Sequence, residues 1–380
     1  MTAQEKRKIV VIFGGRSGEH DVSLMSARSV LDALDRTKFE ITQVGITHEG
    51  VWLSGEHVLD AMTAGETDAL FPVTLLPDPT RPGLYRLDTS RDGGRLALLT
   101  EFDIVFPVLH GTFGEDGTLQ GLFEMAGVAY VGAGVVGAAV GMDKGVFKDV
   151  MRSHGIPVVE AVVALRSELE SNMDAVLDQA EALADYPLFV KPANMGSSVG
   201  VSKCTSRSDL LEGLMEAARF DRRILVERGI DAREIEISVL GNDNPKASIP
   251  GEIRPAAEFY SYEAKYHDDR SELFIPARIP DALADEMRDV AVRAYRAIDC
   301  AGMARVDFML DRDTGEYYLN ELNTIPGFTQ ISMYPKLWEA SGLPYPDLVD
   351  RLIELALQRR AERDRTEWRY QRPGSGVKSF

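Results

Sequence analysis

Residues 305–323 read RVDFMLDRDTGEYYLNELN, two runs of alternating apolar and polar residues on either side of Asp311–Gly315. This pattern predicts a β-hairpin whose turn is the Asp311–Gly315 segment. When the strands are paired outward from that turn, Asp307 falls within about two residues of Glu321 on the opposite strand. The hairpin therefore predicts which polar side chains meet across the two strands.

Oxygen ligands would gather on one face of this hairpin. Glu321 and Asn323 share a face because strand side chains alternate, and Asp307 lies across from them. Carboxylate and amide oxygens are the ligands that Mg²⁺ prefers. A solvated polar strand face is the alternative, but it does not account for Arg305 and Asp307 inside an otherwise apolar strand. We predict a Mg²⁺ site formed by Asp307, Glu321 and Asn323.

The first third of the chain predicts an α/β fold with a parallel sheet and crossover helices. Short β-branched runs alternate there with amphipathic stretches, at residues 9–13, 22–34, 40–46, 102–109, 119–126 and 128–131. Prolines interrupt this pattern between Trp52 and Thr100, which indicates an irregular or hairpin insertion.

The remaining elements are more mixed, and 380 residues suffice for two or three domains. We predict an N-terminal α/β domain at 1–141 and a small central α+β domain at 142–229. A C-terminal α+β domain at 230–362 carries the hairpin, and residues 363–380 form a flexible tail.

Composition excludes several classes of protein. Lys and Arg number 42 against 60 Asp and Glu, and the net charge of −18 disfavours binding to nucleic acid or to an anionic membrane surface. The longest weakly polar stretch, Val128–Met142, is too short for the roughly 18 to 20 apolar residues of a membrane span. Cys204 and Cys300 have no metal-ligand spacing, which fits a cytoplasmic protein.

Glycine-rich loops follow two of the predicted parallel strands, at 14–21 (GGRSGEHD) and 110–117 (HGTFGEDG). Loops at the carboxyl ends of parallel strands line ligand crevices. The first loop also opens a helix, whose N–H groups attract anions, although ordinary capping by Asp21 or Ser23 is an alternative. Glu19 is placed to meet the ammonium group of a ligand.

A third loop combines Lys191 with the glycine-serine segment 196–200. Its N–H groups and lysine could bind a polyphosphate, although it is not a Walker A loop and a lysine at a strand end is usually solvated.

A competing signal is GAGVVG at 132–137, followed by Glu160, which has the spacing of a dinucleotide fingerprint and would indicate an NAD-dependent oxidoreductase. It follows a complete α/β unit, so a glycine-rich interdomain connection is the other interpretation.

Seven segments together carry a resemblance to a known family. They read, in order, GGRSGEHDVS, LHGTFGEDGTLQG, GMDKGVFK, LFVKPANMGSSVGVSK, YSYEAKYHD, ARVDFML and LNELNTIPGFTQIS. The chain resembles the D-alanine:D-alanine ligases of the ATP-grasp superfamily from residue 9 to about residue 356.

The resemblance implies a three-domain ATP-grasp architecture, with ATP held between the central and C-terminal domains and two Mg²⁺ ions, or Mn²⁺, bridging its phosphates. It also implies ligation of two D-alanines to a dipeptide for peptidoglycan synthesis, with an acyl phosphate as intermediate and ADP and phosphate as products. A cytoplasmic homodimer is expected. Rival activities are a D-alanine:D-lactate ligase and an ATP-binding module without chemistry.

For the nucleotide, the resemblance implies that Lys144 and Lys191 contact phosphates and that Glu227 and Glu234 hold adenine and ribose. Some relatives carry lysine at the position of Arg228. The metal ligands implied are again Asp307, Glu321 and Asn323.

For the amino-acid substrates, Glu19 resembles the anchor of the first ammonium group, with His110 nearby and with Ser197 and Tyr266 as hydrogen-bonding partners. The segment 258–272, which carries Tyr266, would close over the site. Arg305 and the Gly327 N–H resemble the oxyanion donors. Lys265 and Ser332 resemble contacts to the carboxylate of the second substrate or to the phosphate.

Overall fold

The computed structural model describes residues 6–88, 94–197, 199–254 and 272–367. Within these ranges the strands form an eight-stranded, a four-stranded and a six-stranded sheet, which follow one another along the chain. The three sheets agree with the predicted α/β fold class, whereas the exact domain boundaries stay predictions.

The first sheet is parallel at its centre, as the sequence predicts. Its strands are β1 (Arg7–Gly14), β2 (Phe39–Ile46), β3 (Trp52–Ser54), β4 (Phe71–Leu75), β5 (Leu84–Asp88), β6 (Arg95–Thr100), β7 (Ile104–Val108) and β8 (Ala129–Tyr130). Their order is β6-β5-β4-β3-β2-β1-β7-β8. Strands β2, β1, β7 and β8 pair in parallel, while β3 to β6 extend the sheet as antiparallel strands. The hairpin interpretation of the segment between Trp52 and Thr100 is therefore the right one for its described residues.

Helices cover both faces of this sheet. They are α1 (His20–Ala33), α2 (Val58–Ala64) and α3 (Thr118–Ala126). Alternate residues of β1 serve opposite faces: Ile9 and Val11 belong to the core with α1, while Val10 and Ile12 belong to the core with α3. Continuous apolar strands such as β1 arise because both faces are buried.

The central sheet is antiparallel and has the order β11-β10-β12-β9. Two helices lead into it, α4 (Val135–Met142) and α5 (Lys144–Ser153). Its own elements are β9 (Ala161–Leu165), α6 (Arg166–Glu181), β10 (Leu188–Pro192), β11 (Ser202–Cys204), α7 (Arg207–Phe220) and β12 (Arg223–Arg228). Helices α6 and α7 pack on its apolar face.

The third sheet has the order β16-β15-β13-β17-β18, with β14 paired to β13. Its strands are β13 (Ala232–Leu240), β14 (Lys246–Ala247), β15 (Gly251–Arg254), β16 (Glu272–Phe274), β17 (Met303–Asp311) and β18 (Tyr317–Asn323). The helices are α8 (Asp281–Ala297), α9 (Met333–Ala340) and α10 (Tyr345–Arg363). The predicted hairpin is confirmed as β17 and β18, whereas α9 was not predicted.

The last helix returns to the first sheet. Leu352 and Ile353 of α10 lie in the same core cluster as Ile9 and Phe106. Arg359 reinforces this contact, because its guanidinium donates to the Tyr130 carbonyl (3.2 Å) and stacks over the Tyr130 ring at 4.2 Å. The first sheet and α10 therefore form one packed unit.

Among the described residues, no helix has the length and apolar character that crossing a membrane requires.

Candidate active site

The Glu19 carboxylate lies where the first glycine loop meets the loop that follows β10. The Ser197 hydroxyl donates to Glu19 Oε1, and the Glu19 side chain is almost wholly buried. The Glu19 N–H donates to Ser17 Oγ (3.1 Å), and the Ser17 hydroxyl donates to the His110 carbonyl (2.7 Å). Three predicted site residues, Glu19, Ser197 and His110, are thus brought together.

Two glycines make room for the Glu19 carboxylate. A Cβ atom at Gly111 or at Gly196 would lie 2.5 Å from Glu19 Oε2. Gly111 also has a φ of +72°, a left-handed conformation that favours glycine. Ser197 adopts the same region with a φ of +50°, and this strained residue is the one that donates to Glu19.

His110 connects this pocket to the C-terminal part of the chain. Its Nδ1 lies 2.8 Å from the Ile325 carbonyl and its Nε2 lies 3.0 Å from Ser26 Oγ. A carbonyl can only accept, so Nδ1 carries the proton and Nε2 accepts from the serine hydroxyl. Burial lowers the pKa of His110, which keeps the ring neutral in this bridging position.

Sequence reasoning missed Glu115, which lies beside His110. Its two carboxyl oxygens accept from the N–H groups of Gly111 and Ile325, both at 2.8 Å. Burial, together with the nearby Glu19, raises the pKa of Glu115 to about 8. Glu115 belongs to the quoted segment LHGTFGEDGTLQG, so the signal was present, but nothing in the sequence indicates that this carboxyl is buried.

A buried charge cluster occupies the central sheet. Glu227 on β12 pairs with Lys191 on β10 and with Lys148 on α5, whose Nζ lies 2.7 Å from Glu227 Oε1. Lys148 and Glu227 are each 2% exposed. Burial opposes the ionisation of Glu227, but Lys191 and Lys148 outweigh it and lower its pKa to about 2.

This cluster changes the expectation for Glu227. Its side chain contacts Lys191, a predicted phosphate-binding residue, and is not presented to solvent. A contact with adenine stays a prediction, and so does the ribose contact of Glu234, which lies half-buried on β13. Lys148 was missed because a lysine on an amphipathic helix is usually solvent-exposed.

One face of the C-terminal sheet is lined with charged and polar side chains. Directly paired residues of antiparallel strands point to the same side, and the pairs are Glu236 with Asp307, Asp307 with Glu321, and Arg305 with Asn323. A β-bulge between Asp307 and Phe308 sets this register. The hairpin arithmetic, which placed Asp307 within about two residues of Glu321, is thus consistent with the structure.

The carboxylates on this face are paired with cationic side chains. Arg305 donates to both oxygens of Asp307, from Nε at 2.7 Å and from Nη2 at 2.6 Å, and its Nε lies 3.1 Å from Glu236 Oε2. Asn323 Nδ2 also donates to Asp307 (2.9 Å), so the amide oxygen remains the atom with which Asn323 can hold a cation. The donor set of Asp307, Glu321 and Asn323 consists of hard oxygens and fits Mg²⁺.

Lys144 joins the central and C-terminal parts of the site. Its Nζ donates to the Met195 carbonyl (2.7 Å) in the loop after β10 and lies 3.8 Å from Glu321 Oε2. In the segment between β18 and α9, Gly327 and Ser332 are neighbours, since a Cβ at Gly327 would lie 3.1 Å from Ser332 Oγ. The predicted residues Lys265 and Tyr266 lie outside the described residues.

The segment 132–137 serves packing in this structure. A Cβ at Gly137 would lie 3.0 Å from Cys300 Cα, and Gly132, with a φ of +99°, lies against Gly302. These glycines allow α4 to approach the segment that precedes β17 closely. The interpretation as an interdomain connection is therefore favoured over a dinucleotide site.

A parallel-sheet domain followed by two antiparallel sheets, with buried lysines on one and carboxylates on the other, is the architecture of the ATP-grasp enzymes. A family model described as "D-ala D-ala ligase N-terminus" matches residues 8–133, and one described as "D-ala D-ala ligase C-terminus" matches residues 150–354. The chain belongs to the D-alanine–D-alanine ligase family.

Individual relatives agree with this assignment. The chain is 51% identical to a D-alanine–D-alanine ligase of Heliobacterium modesticaldum over 95% of its length and 97% of the relative. It is 48% identical to the D-alanine–D-alanine ligase of Natranaerobius thermophilus, over 95% of this chain and 98% of the relative.

Solved structures agree as well. The D-alanine–D-alanine ligase of Coxiella burnetii superimposes with a TM-score of 0.78 at 36% identity and covers 95% of this chain and 97% of its own. The VanG D-Ala:D-Ser ligase of Enterococcus faecalis superimposes with a TM-score of 0.81 at 35% identity. This match covers 93% of this chain and 100% of the VanG chain. Membership in this family does not favour the oxidoreductase alternative.

Proposed function

We propose that this protein joins two D-alanine molecules to D-alanyl-D-alanine and converts ATP to ADP and phosphate, as an enzyme of peptidoglycan precursor synthesis. The observation that supports this most directly is the meeting of three parts of the chain at one site. Glu19 meets Ser197, and Lys144 reaches from the central part of the chain to Glu321. This arrangement supports a binding site for an amino acid beside one for a metal-bound polyphosphate.

The first step requires that two anions approach each other. The carboxylate of the first D-alanine attacks the γ-phosphoryl group of ATP, which gives an acyl phosphate and ADP. Glu19 holds the ammonium group of that D-alanine, and Lys144 and Lys191 neutralise charge on the phosphates. Mg²⁺, when bound, supplies further neutralisation of the phosphate charge.

The second step forms the amide. The free amine of the second D-alanine attacks the acyl carbonyl, and Arg305 with the Gly327 N–H donates to the oxyanion before phosphate departs. Arg305 donates to Asp307 through Nε and Nη2. A guanidinium carries five N–H donors and a carboxylate about four acceptor sites, so Arg305 and Asp307 can keep their contact while Arg305 also donates to the oxyanion and Asp307 also binds the metal.

Finer features belong to the same proposal. Two Mg²⁺ ions would be held by Asp307, Glu321 and Asn323 together with the phosphates, and the protein would act as a homodimer. Native mass spectrometry of the protein with an ATP analogue would count both the subunits and the ions.

The experiment that tests the activity measures phosphate release from ATP with D-alanine, with L-alanine as the control. We expect ADP, phosphate and the dipeptide, and release of AMP and pyrophosphate would refute the proposal. A second assay offers D-alanine, D-lactate and D-serine at equal concentration at pH 7 and identifies the products by mass spectrometry. A depsipeptide or D-alanyl-D-serine as the major product would overturn the choice of second substrate.

A further inference from the structure

A second group of metal-binding side chains lies at the carboxyl edge of the first sheet, where β1 and β2 end. One ring nitrogen each of His20 and His48 and a carboxylate oxygen of Asp21 lie within 4.8 Å of one another. His20 and Asp21 begin α1, and His48 follows β2. None of the three belongs to the proposed ligase site, where the neighbouring Glu19 carboxylate is directed to Ser197.

The ring of His20 is held in one orientation. His20 Nδ1 lies 2.9 Å from the Gly15 carbonyl, and because a carbonyl only accepts, Nδ1 carries the proton. Nε2 is then the nitrogen with a lone pair. A metal-binding histidine usually donates its other N–H to a carbonyl or a carboxylate in this way, which fixes its tautomer.

The backbone leaves space for this ring. Gly14 has a φ of +88°, and a Cβ there would lie 3.0 Å from His20 Cε1 and 2.3 Å from the Ile46 carbonyl oxygen. His20 is consequently 5% exposed, whereas Asp21 and His48 are exposed. The His20 ring is therefore preorganised, whereas the side chains of Asp21 and His48 can change conformation.

The two imidazole rings already lie together. Their centroids are 3.9 Å apart and their planes are inclined by 26°. Four-coordinate Zn²⁺ with Zn–N distances of about 2.0–2.1 Å needs ligand atoms roughly 3.4 Å apart. Because imidazole lone pairs lie in the ring plane, the stacked rings do not yet point at one position, and binding requires the exposed His48 ring to turn out of the stack and the exposed Asp21 side chain to rotate toward it. Glu49, which interacts electrostatically with both histidines, adds a second carboxylate nearby.

We propose that His20, His48 and Asp21 bind one transition-metal dication such as Zn²⁺, at a site separate from the Mg²⁺ site of the ligase. Imidazole nitrogen is a favourable ligand for Zn²⁺, Co²⁺ and Ni²⁺, whereas Mg²⁺ prefers oxygen ligands throughout. Two imidazoles and one carboxylate leave a fourth position for water.

The test uses the full-length protein without an affinity tag, in excess Mg²⁺ and without nucleotide, so that the oxygen-ligand site is occupied by Mg²⁺. Co²⁺ binding is followed by its visible absorption and Zn²⁺ binding by calorimetric competition. We expect one ion per chain, bound at least about tenfold more weakly by His48→Gln and by Asp21→Asn.

The matched control is His57→Asn. His57 is an exposed histidine of the same sheet region, 3.9 Å from Asp60, and its left-handed backbone (φ +51°) suits asparagine. We expect this variant to bind the metal as the parent protein does. Failure of the parent protein to bind Co²⁺ would overturn the proposal, and so would equal affinity in the parent and both ligand variants. Two independent variants keep the test decisive if one of them folds poorly, and no readout depends on ligase activity.

Discussion

Replacement of Glu227 by glutamine tests the buried charge cluster of the central sheet. Glu227 pairs with both Lys148 and Lys191, and both it and Lys148 are 2% exposed. In Glu227→Gln, two buried ammonium groups would face a neutral amide, so the loss of stability should be large. Removing one partner of a buried ion pair typically costs about 3–5 kcal/mol.

The pKa of Glu227 gives a second measure of the same effect. The lysines hold it at about 2, against an ordinary value of 4.5. At about 1.36 kcal/mol per pKa unit, this difference corresponds to roughly 3 kcal/mol. Because the pKa is lowered on folding, the stabilisation is complete above about pH 4.5 and is lost as the pH falls toward 2. The difference between the parent and the variant should shrink over the same range.

Hydrogen exchange in peptides covering 188–192 and 223–228 is the appropriate assay, because a chain with three sheets need not unfold in one step. The control is Asp350→Asn, which breaks the exposed pair with Lys38 (2.6 Å) and should leave exchange in these two peptides nearly unchanged. The double variant Lys148→Met, Glu227→Gln should recover part of the loss, since only one ammonium group remains. Equal losses in Glu227→Gln and Asp350→Asn would refute the reasoning.

Three further predictions concern the active site. Glu321→Gln should lower Mg²⁺-dependent turnover more than 100-fold, roughly 3 kcal/mol or more, while the control Glu316→Gln at the exposed turn should not. Near-normal activity of Glu321→Gln at low millimolar Mg²⁺ would mean that the hairpin is not the metal site. Gly196→Ala should raise the KM for D-alanine about tenfold or more, because its Cβ would lie 2.5 Å from Glu19 Oε2; Gly121→Ala, with open space around it, is the control, and equal KM values in the two variants would contradict the steric argument. Glu115 has a pKa of about 8 in the folded chain against an ordinary 4.5, so the free energy of unfolding should fall as the pH rises from about 4.5 to 8; thermal unfolding of Glu115→Gln should lack this slope, and an unchanged slope would assign it to another group.

The hairpin illustrates what sequence can and cannot predict. Alternation and turn chemistry predict both strands, and of the two registers that the turn allows, the one that pairs Asp311 with Glu316 matches Phe308 with Leu319 as observed. Continuing that register would match Asp307 with Asn320 and turn Glu321 to the other face. The bulge adds one residue to β18 at this point and returns Glu321 to the face of Asp307. No sequence rule used here predicts that bulge.

The missed residues have a common physical origin. Lys148, Glu115 and Glu236 are charged residues that become buried only when separate elements pack together. Local patterns encode periodicity, and periodicity describes the face of one helix or strand. Lys148 becomes significant only because β12 brings Glu227 to α5, a contact between residues far apart in the chain. Family motifs identified the loops, but the partners of each charge depend on the tertiary structure.

The return of α10 to the first sheet has a consequence for biosynthesis. The face of β1 that carries Ile9 and Val11 is completed by residues near 350, which are translated long after β1 itself. During translation, part of the apolar surface of this domain therefore stays exposed to solvent until α10 has emerged from the ribosome. A nascent chain halted before residue 345 would therefore be an incompletely folded substrate for chaperones and proteases, even though every strand of its first sheet has already been made.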